Sequence, residues 1–326
     1  MSDSLPRLLY ITSRGHSGST LLELLLGGHS AVTPVGELKQ LVRNRGGECR
    51  CRKPILNGCP FWKGVQEALL RTGTPLDELD PMHPDPDLFV LHNRALLEAV
   101  HAVAGTPWIV DSSKSLGRLR RLLQLEVAPV RVLHLTRRPA GVVASNLRRG
   151  RDWRSMSRNY TIAMRKTLEL LEDHPSISVR YEDLATRPEP TLARVMSEMG
   201  LRFERNQLDW ATNEGHLIAG NAMRFSTDSS IRLDRRWVHE IGIPRRLGIA
   251  WLTLPARLSS PWLYEAHLPY WKGEGWEAWR AYRRKRVERI RRERRHRFLQ
   301  RHPSLRPVYR RLRSWWRRAA GHLPGA

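Results

Sequence analysis

Residues 8–20 read LLYITSRGHSGST and combine two kinds of pattern. The first four residues are an apolar run of strand length, and small polar residues follow within three positions. From Thr20 the pattern becomes that of a helix, which continues to Gly27. A strand, a polar loop and a helix in this order direct backbone N–H groups and the positive helix end at one point. The stretch therefore predicts a binding site for an anion such as a phosphate.

The same order of strand, polar loop and helix recurs along the chain. Strand-like runs cover residues 108–110, 130–135 and 177–179, and a helical pattern follows each of them. Alternating strands and helices are typical of an α/β domain with a parallel, doubly wound sheet. In such a sheet the ligand lies beyond the carboxyl ends of the strands, where these polar loops fall. We therefore expect residues from different loops to share one site.

Composition divides the chain into two parts. Hydrophobic residues make up 40% of the 326 residues, which is enough for a folded core. Residues 1–247 are the predicted α/β domain, in which residues 43–106 form a mostly helical insert with proline-rich turns. Residues 248–326 are the predicted basic helical extension, rich in Trp and Arg. Residues 277–326 hold 18 Arg and Lys against 3 Glu, and so carry +15 of the chain's net charge of +24.

The basic extension allows several interpretations. Arginine interleaved with tryptophan suits an anionic lipid surface, an acidic polysaccharide or nucleic acid. A solvated appendage that packs its tryptophans against the core explains the same pattern. No base-reading motif appears, so no specific nucleic acid is predicted. Because the sequence shows neither a run of about 20 apolar residues nor a secretory signal, we expect a cytoplasmic protein, with a peripheral position at a membrane surface as the alternative.

The loop at residues 13–20 has the spacing of a nucleotide-triphosphate P-loop, G-x4-G-K-[ST], but departs from it at two positions. Ser13 stands in place of the first glycine, and Ser19 stands in place of the lysine. Without that lysine the β- and γ-phosphates lose their usual counter-charge, which argues against a small-molecule kinase. From the residues alone, the loop binds a different phosphate-like group or is a tight polar turn that binds nothing.

Residues 14–22, RGHSGSTLL, resemble the 5′-phosphosulfate loop of sulfotransferases that use 3′-phosphoadenosine 5′-phosphosulfate (PAPS). In many members a lysine or arginine occupies the position of His16, which leaves protonated His16 or Arg14 as the cation here. The resemblance implies a P-loop-like α/β fold. It also implies that the donor is bound by Arg14, Gly15, His16, Ser17, Gly18, Ser19 and Thr20.

Residues 132–145, VLHLTRRPAGVVAS, resemble the 3′-phosphate motif of the same family. In that motif an arginine ends a strand and a serine follows eight residues later, as Arg137 and Ser145 do. An arginine can direct two parallel donors at a phosphate. Residues 216–225, HLIAGNAMRF, resemble the loop that covers the adenosine phosphate in bacterial members. That resemblance makes Arg224 a second ligand of the 3′-phosphate.

Sulfuryl transfer needs a base for the acceptor proton and a cation for the charge on the leaving phosphate. Lys114 resembles the family lysine that contacts the bridging oxygen. Glu37 lies in a Gly-Glu segment similar to that of tyrosylprotein sulfotransferases and their bacterial relatives, where the glutamate is the base. Asp111 and His16 are the rival bases. The predicted catalytic residues are therefore Glu37, Lys114 and His16.

The three cysteines, Cys49, Cys51 and Cys59, form a C-x-C-x7-C cluster. Three thiolates and a fourth ligand from elsewhere in the chain could bind zinc, but the sequence identifies no fourth ligand. A local disulfide or plain thiols explain the cluster without a metal. We therefore expect thiols or a disulfide here, and no metal in the active site.

Together these features predict an enzyme that moves a sulfuryl group from PAPS to an unidentified acceptor with a hydroxyl or amine group. Two alternatives stay open. One is a P-loop-like kinase of a small molecule. The other is a non-enzymatic nucleic-acid-binding protein that uses the basic extension, although it leaves both anion loops unexplained.

Overall fold

Five parallel strands form one sheet at the centre of the fold. The computed structural model describes residues 5–259. The strands are β1 (Arg7–Ser13), β2 (Val32–Gly36), β3 (Trp108–Asp111), β4 (Val130–Thr136) and β5 (Ser176–Arg180). Their order across the sheet is β2-β3-β1-β4-β5, and all neighbours are parallel. The predicted α/β class with a parallel sheet is confirmed.

Helices cover both faces of this sheet. They are α1 (Ser19–Leu26), α2 (Leu41–Asn44), α3 (Pro60–Arg71), α4 (Pro86–Ala104), α5 (Leu116–Gln124), α6 (Pro139–Leu147), α7 (Trp153–Leu171), α8 (Tyr181–Thr186), α9 (Pro188–Met199), α10 (Trp237–Glu240), α11 (Ile243–Leu252) and α12 (Leu254–Ser259). Successive side chains of a strand point to opposite faces. Leu8 and Tyr10 accordingly pack in one core cluster with α4 and α5, whereas Leu9 and Ile11 pack in another with α1 and α9. The sheet is doubly wound, as predicted.

Strand β2 is a feature that the sequence analysis missed. Pro34 lies in its middle, and proline cannot donate a hydrogen bond to a strand ladder, which disfavours a strand at this point. The strand tolerates Pro34 because it lies at the edge of the sheet, with β3 as its neighbour on one side. Its last residue, Gly36, directly precedes the predicted base Glu37.

Residues 43–106 contain the helical insert between β2 and β3. Helix α3 begins at Pro60, which suits the first position of a helix. Helix α4 is capped by the carboxylate of Asp85, which accepts from two backbone N–H groups of the first turn at 2.9 and 3.0 Å. It ends at Gly105 in the left-handed conformation, with φ 68°. The fully buried Trp62 of α3 joins the core cluster on one face of the sheet.

The polar loops converge at the carboxyl end of β1. This strand lies between β3 and β4. The chain therefore builds β2 and β3 on one side of β1 and β4 and β5 on the other. Ligands of doubly wound sheets bind at such a change of direction. The loops that follow β1, β3 and β4 consequently end at one edge of the sheet.

The described chain ends in two helices that pack near α6 and α7. Ile249 of α11 is buried with Val143, and Ala256 of α12 is buried beside Tyr160. Helix α11 includes residue 247, and the domain boundary expected there stays a prediction. None of the helices within residues 5–259 is long and apolar enough to cross a membrane. The predicted basic extension beyond residue 259 lies outside the described residues.

Candidate active site

The loop between β1 and α1 has the geometry of an anion site. Gly18 precedes α1 with φ 92°, in the left-handed region that favours glycine. A Cβ atom at this position would lie 2.6 Å from the ring of Tyr181, so the space also requires glycine. Gly18, the cap residue of α1, has no side chain that could accept a hydrogen bond from the first turn. The first backbone N–H groups of α1 are therefore directed at the loop, as in anion-binding helix N-termini.

Three buried polar atoms border this loop. Ser13 Oγ, Arg14 Nε and Ser17 Oγ have no hydrogen-bond partner among the residues that the structure describes. Together with Arg137 and Tyr160, these residues line one small cavity. Burial lowers the pKa of Arg14 from its ordinary value. Because a buried polar atom without a partner is costly, the cavity suits a polar ligand better than an apolar one.

The predicted catalytic pair meets beside the start of α1. Lys114 Nζ lies 2.5 Å from Glu37 Oε1 and donates to Ser19 Oγ at 3.2 Å. Both charged side chains are 14% exposed. Lys114 has a positive φ of 60°, which turns the chain sharply after β3. A lysine from another loop thus stands next to the position where the P-loop pattern would have its own lysine.

Gly36 and Glu23 fix the backbone next to Glu37. Gly36 has φ 83°, and a Cβ there would lie 2.8 Å from the backbone nitrogen of Ile218. The fully buried carboxyl of Glu23, in α1, accepts from Gly36 N–H at 2.7 Å and from the Ser112 hydroxyl at 2.6 Å. Burial raises the pKa of Glu23 to about 8. Glu23 was not predicted from the sequence, in which its one signal is its place among the leucines of STLLELLL.

The buried contacts of Asp111, one rival base, indicate a structural role. Its side chain is fully buried and forms an ion pair with the equally buried Arg118 at 2.9 Å. Its other oxygen accepts from the backbone N–H of Ser113 at 2.8 Å. Both oxygens are thus engaged in holding the loop after β3. This carboxylate is poorly placed to reach an acceptor.

His16, the other rival, is half-buried in the anion loop. Its φ is 68°, and its carbonyl accepts a hydrogen bond from Arg137. Burial lowers the pKa of His16, and the nearby charges of Arg149 and Lys114 lower it further. The imidazole is therefore neutral at neutral pH. This shift favours Arg14 over protonated His16 as the loop's cation, and the choice between the two stays a prediction.

Arg137 is held firmly at the end of β4. Its Nη1 donates to the carbonyl of His16 at 2.9 Å, and its Nη2 donates to Asp234 Oδ2 at 3.0 Å. The guanidinium carbon lies 4.4 Å from the centroid of the Tyr181 ring. The backbone carbonyl of Arg137 accepts from the Tyr160 hydroxyl at 2.8 Å. These contacts keep the guanidinium of Arg137 beside the anion loop.

Three arginine side chains lie around the carboxylate of Asp234. It lies 3.0 Å from Arg137, 3.9 Å from Arg148 and 2.9 Å from Arg236. Hydrogen bonds from Arg236 and Arg137 hold the pKa of Asp234 well below its ordinary value. Arg148 also donates to Ser145 Oγ at 3.0 Å. The structure therefore brings the predicted Arg137 and Ser145 into one group.

Arg148 and Asp234 were both missed by the sequence analysis. Arg148 lies three residues after Ser145, a spacing that places two residues on the same face of a helix, so a signal for it existed. Asp234 lies 97 residues after Arg137, and nothing in the sequence links the two.

Residues 216–225, called here the cover segment, lie over the start of α1. The backbone N–H of Asn221 donates to Thr20 Oγ1 at 3.1 Å. A Cβ at Gly220, whose φ is 146°, would lie 3.3 Å from the same oxygen. The segment is thus packed closely on the start of α1, next to the anion loop.

Arg224 of the cover segment is not joined to the Arg137 and Ser145 group. Its side chain donates to the carbonyl oxygens of Gly220 at 2.9 Å and Glu48 at 3.3 Å. Burial lowers its pKa from the ordinary value. Its assignment to the 3′-phosphate stays a prediction, and the structure gives it no partner in the Arg137 group among residues 5–259.

The three cysteines lie together with a histidine of the cover segment. One ligand atom each from Cys49, Cys51, Cys59 and His216 can be chosen so that all lie within 4.8 Å of one another. All three cysteines are free, so the disulfide considered from the sequence is not formed. Burial raises the pKa of Cys49 and of Cys59 above the ordinary thiol value. His216 is the fourth side chain that the sequence did not identify, because 157 residues separate it from Cys59.

Comparison with known proteins identifies one family. A family model described as the sulfotransferase family matches residues 9–205, more than half of the chain. A search among curated protein sequences gives no significant match.

Three sulfotransferase structures are among the matches in a search of solved structures. The sulfotransferase domain of the Synechococcus PCC 7002 olefin synthase has 21% sequence identity and a TM-score of 0.52, over 82% of this chain and 98% of that chain. The sulfotransferase domain from the curacin biosynthetic pathway has 19% identity and a TM-score of 0.48, over 76% and 98%. Mouse sulfotransferase SULT7A1 complexed with PAP has 10% identity and a TM-score of 0.48, over 80% and 87%.

Proposed function

We propose that this chain, which belongs to the sulfotransferase family, transfers a sulfuryl group from PAPS to a hydroxyl or amine of its acceptor. The observation that carries the proposal is the position of Lys114. Its ammonium group contacts both Ser19 at the start of the anion loop's helix and the carboxylate of Glu37. A cation for the leaving group and a base for the acceptor therefore lie next to the place where an anion would bind.

In the proposed reaction, Glu37 takes the proton of the acceptor O–H or N–H group. The acceptor atom then forms a bond to sulfur, while the bond from sulfur to the bridging oxygen of the 5′-phosphate breaks. Lys114 and the N–H groups at the start of α1 stabilise the charge that develops on the leaving phosphate. The products are the sulfated acceptor, with the proton on Glu37, and 3′,5′-adenosine bisphosphate (PAP). Positioning and electrostatics account for most of the catalysis, as in phosphoryl transfer.

The ion pair between Lys114 and Glu37 must loosen during this reaction. In the structure, each charge neutralises the other at 2.5 Å. A bound phosphosulfate offers Lys114 a second anionic partner, which frees Glu37 to accept the proton of the acceptor. Donor binding would thus prepare the base.

The Arg137, Ser145 and Arg148 group is the proposed site of the 3′-phosphate. Two arginines and a hydroxyl supply the charge-assisted donors that a phosphate requires. Asp234 forms ion pairs with both arginines in the structure. A 3′-phosphate would therefore have to displace or share the arginines with this carboxylate.

The test is a comparison of nucleotides by isothermal titration calorimetry on the full chain. PAP is expected to bind in the micromolar range, and 5′-AMP and ATP much more weakly, because neither carries a 3′-phosphate. Transfer of radiolabelled sulfate from PAPS to components of a cell extract should then identify the acceptor class. If ATP binds as tightly as PAP, Lys114 serves as the loop lysine of a kinase and the proposal is wrong.

A further inference from the structure

The cysteine cluster has the dimensions of a tetrahedral metal site. Cys59 Sγ lies 3.2 Å from His216 Nδ1, and Cys49 Sγ lies 3.8 Å from the same nitrogen. With a zinc–sulfur distance of about 2.3 Å and a zinc–nitrogen distance of about 2.0 Å, ligand atoms around one tetrahedral zinc ion are about 3.5–3.8 Å apart. The four ligand atoms of the cluster lie within 4.8 Å of one another, so a small movement of the side chains brings them to the tetrahedral distances.

The backbone around the cysteines is shaped into tight turns. The N–H of Arg52 donates to the carbonyl of Cys49 at 2.9 Å, and the N–H of Cys49 donates to the carbonyl of Lys53 at 2.9 Å. Arg52 adopts a positive φ of 62° within this turn. The N–H of Cys59 donates to the carbonyl of Pro54 at 2.7 Å, directly before α3. These turns fold Cys49, Cys51 and Cys59 towards one point although up to ten positions separate them in sequence.

His216 is oriented by two aromatic neighbours. The ring of Phe61 stacks on its imidazole, with centroids 4.8 Å apart and planes 1° apart. The indole N–H of Trp62 donates to its carbonyl at 2.9 Å. Both contacts come from α3, the helix that begins directly after Cys59. The histidine is thus held with Nδ1 towards the sulfur atoms.

We propose that Cys49, Cys51, Cys59 and His216 bind a structural zinc ion. Three thiolates and one imidazole are a ligand set typical of structural zinc, whereas calcium and magnesium prefer oxygen. Four protein ligands close the coordination shell and leave no position for a substrate or an activated water. Cys49 and Cys59 are buried, and the half-buried Cys51 and His216 give the ion access from solvent. The ion therefore takes no part in the proposed transfer chemistry.

The role of this zinc is to fasten the cover segment to the helical insert. Arg50, between the first two ligands, already donates to the carbonyl oxygens of Trp210, Ala211 and Asn213 at 2.8–3.1 Å. It also donates to the carbonyl of Arg224. His216 adds a metal ligand to the same attachment. Because Asn221 contacts Thr20, the zinc ion stabilises the segment that lies on the anion loop.

Metal analysis of the full chain tests the proposal directly. Protein is purified without chelators from zinc-supplemented cells, and its metal content is measured by inductively coupled plasma mass spectrometry. We expect one zinc ion per chain. Cys59→Ser and His216→Ala are expected to lose the ion, whereas His239→Ala, a change at an exposed histidine, keeps it. Zinc content does not depend on PAPS, so this result stands apart from the proposed function.

Cobalt substitution tests the ligand set in the unmodified protein, even if a variant fails to fold. Co²⁺ added to the metal-free chain should give thiolate-to-cobalt charge transfer in the near ultraviolet together with the visible bands of tetrahedral cobalt. Chelation of the native metal should also raise the hydrogen-exchange rate of residues 216–225. The proposal is overturned if native protein carries no zinc above background and cobalt gives no tetrahedral spectrum. Unchanged exchange after metal removal would overturn the fastening role.

Discussion

Two pairs of opposite charges flank the anion loop, one on each side of β1. On the side of β3, Lys114 pairs with Glu37 at 2.5 Å. On the side of β4, Arg137 pairs with Asp234 at 3.0 Å. In each pair the cation follows a strand and the carboxylate comes from another segment of the chain. Glu37 has a second lysine nearby, Lys39, whereas Asp234 has two more arginines.

The difference lies in what each carboxylate does to the proposed ligands. In the proposed reaction Glu37 takes a proton from a neutral acceptor, so its charge is useful there. Asp234 stands among the donors proposed for an anionic 3′-phosphate, so its charge competes with the ligand. A similar ion pair can therefore belong to the chemistry on one side and oppose binding on the other.

Replacement of the proposed base should have the largest effect. Glu37→Gln keeps the size of the side chain but removes its ability to take a proton. We expect kcat to fall about 10²-fold or more, as is typical for loss of a general base, with the Kd for PAP nearly unchanged. Lys114→Ala should lower kcat to a similar extent because its contact strengthens as charge builds on the leaving oxygen.

Steady-state kinetics with radiolabelled PAPS and calorimetry with PAP measure these effects. Glu67→Gln, at an exposed position of α3, is the matched control and should retain full activity. If Glu37→Gln keeps a normal kcat while His16→Ala abolishes turnover, the base is His16, and the β3 side loses its distinguishing feature.

Replacement of Arg137 should affect binding instead of turnover. A hydrogen bond to a charged group contributes about 1.5–3 kcal/mol, so Arg137→Ala should raise the Kd for PAP roughly 10- to 100-fold. Ser145→Ala should raise it less. Arg131→Ala, at an exposed position earlier in β4, serves as the control and should leave calorimetric affinity unchanged. Equal PAP affinities for Arg137→Ala and the native chain would remove the 3′-phosphate from this side.

The fold was largely predictable because its signals are local. Apolar runs and helical periodicity identified β1, β3, β4, β5 and the helices after them, and the alternation of the two indicated a parallel sheet. Strand β2 was not predicted because it contains Pro34, a residue that argues against a strand but is tolerated in a short edge strand. The order of the strands depends on long-range packing and was not predicted.

The site was predictable only where a family resemblance supplied what spacing could not. Glu37 and Lys114 are 77 residues apart, and no periodicity would pair them. The resemblance gave them as candidates, together with Arg137 and Ser145, and their roles stay predictions. It did not supply Asp234 or His216, whose partners are defined by the folded backbone. Glu23 was missed for a different reason, since the sequence does not show that this carboxyl is fully buried.

Glu23 makes the stability of the folded state depend on pH. Its folded pKa of about 8 exceeds the ordinary 4.5, so between these values the folded state binds more protons than the unfolded state. Stability contributed by the protonated carboxyl is therefore present at low pH and is lost as pH rises towards 8. Glu23→Gln should flatten this dependence. Between acid and mildly alkaline pH, we expect the Tm of the variant to fall by roughly 5 °C less than the Tm of the native chain.

Calorimetric scans from acid to mildly alkaline pH measure this change. Glu67→Gln should follow the native curve. A native Tm that is constant across the window, or a Glu23→Gln variant with the same slope as the native chain, would show that Glu23 is ionised in the folded state.

Asp234→Asn should have the smallest effect and an opposite sign to Arg137→Ala. Its lowered pKa means that Asp234 carries a full negative charge at neutral pH. The asparagine variant keeps the shape and leaves the donors of Arg137 and Arg148 available to a phosphate. A partly exposed ion pair contributes about 0.5–1 kcal/mol, so PAP should bind about two- to fivefold more tightly, with kcat unchanged. Asp228→Asn is the matched control, since that exposed carboxylate bonds to Ser230 within the same region. Weaker PAP binding by Asp234→Asn would mean that the carboxylate positions Arg137 for the ligand, and the two charge pairs beside β1 would then have similar, supporting roles.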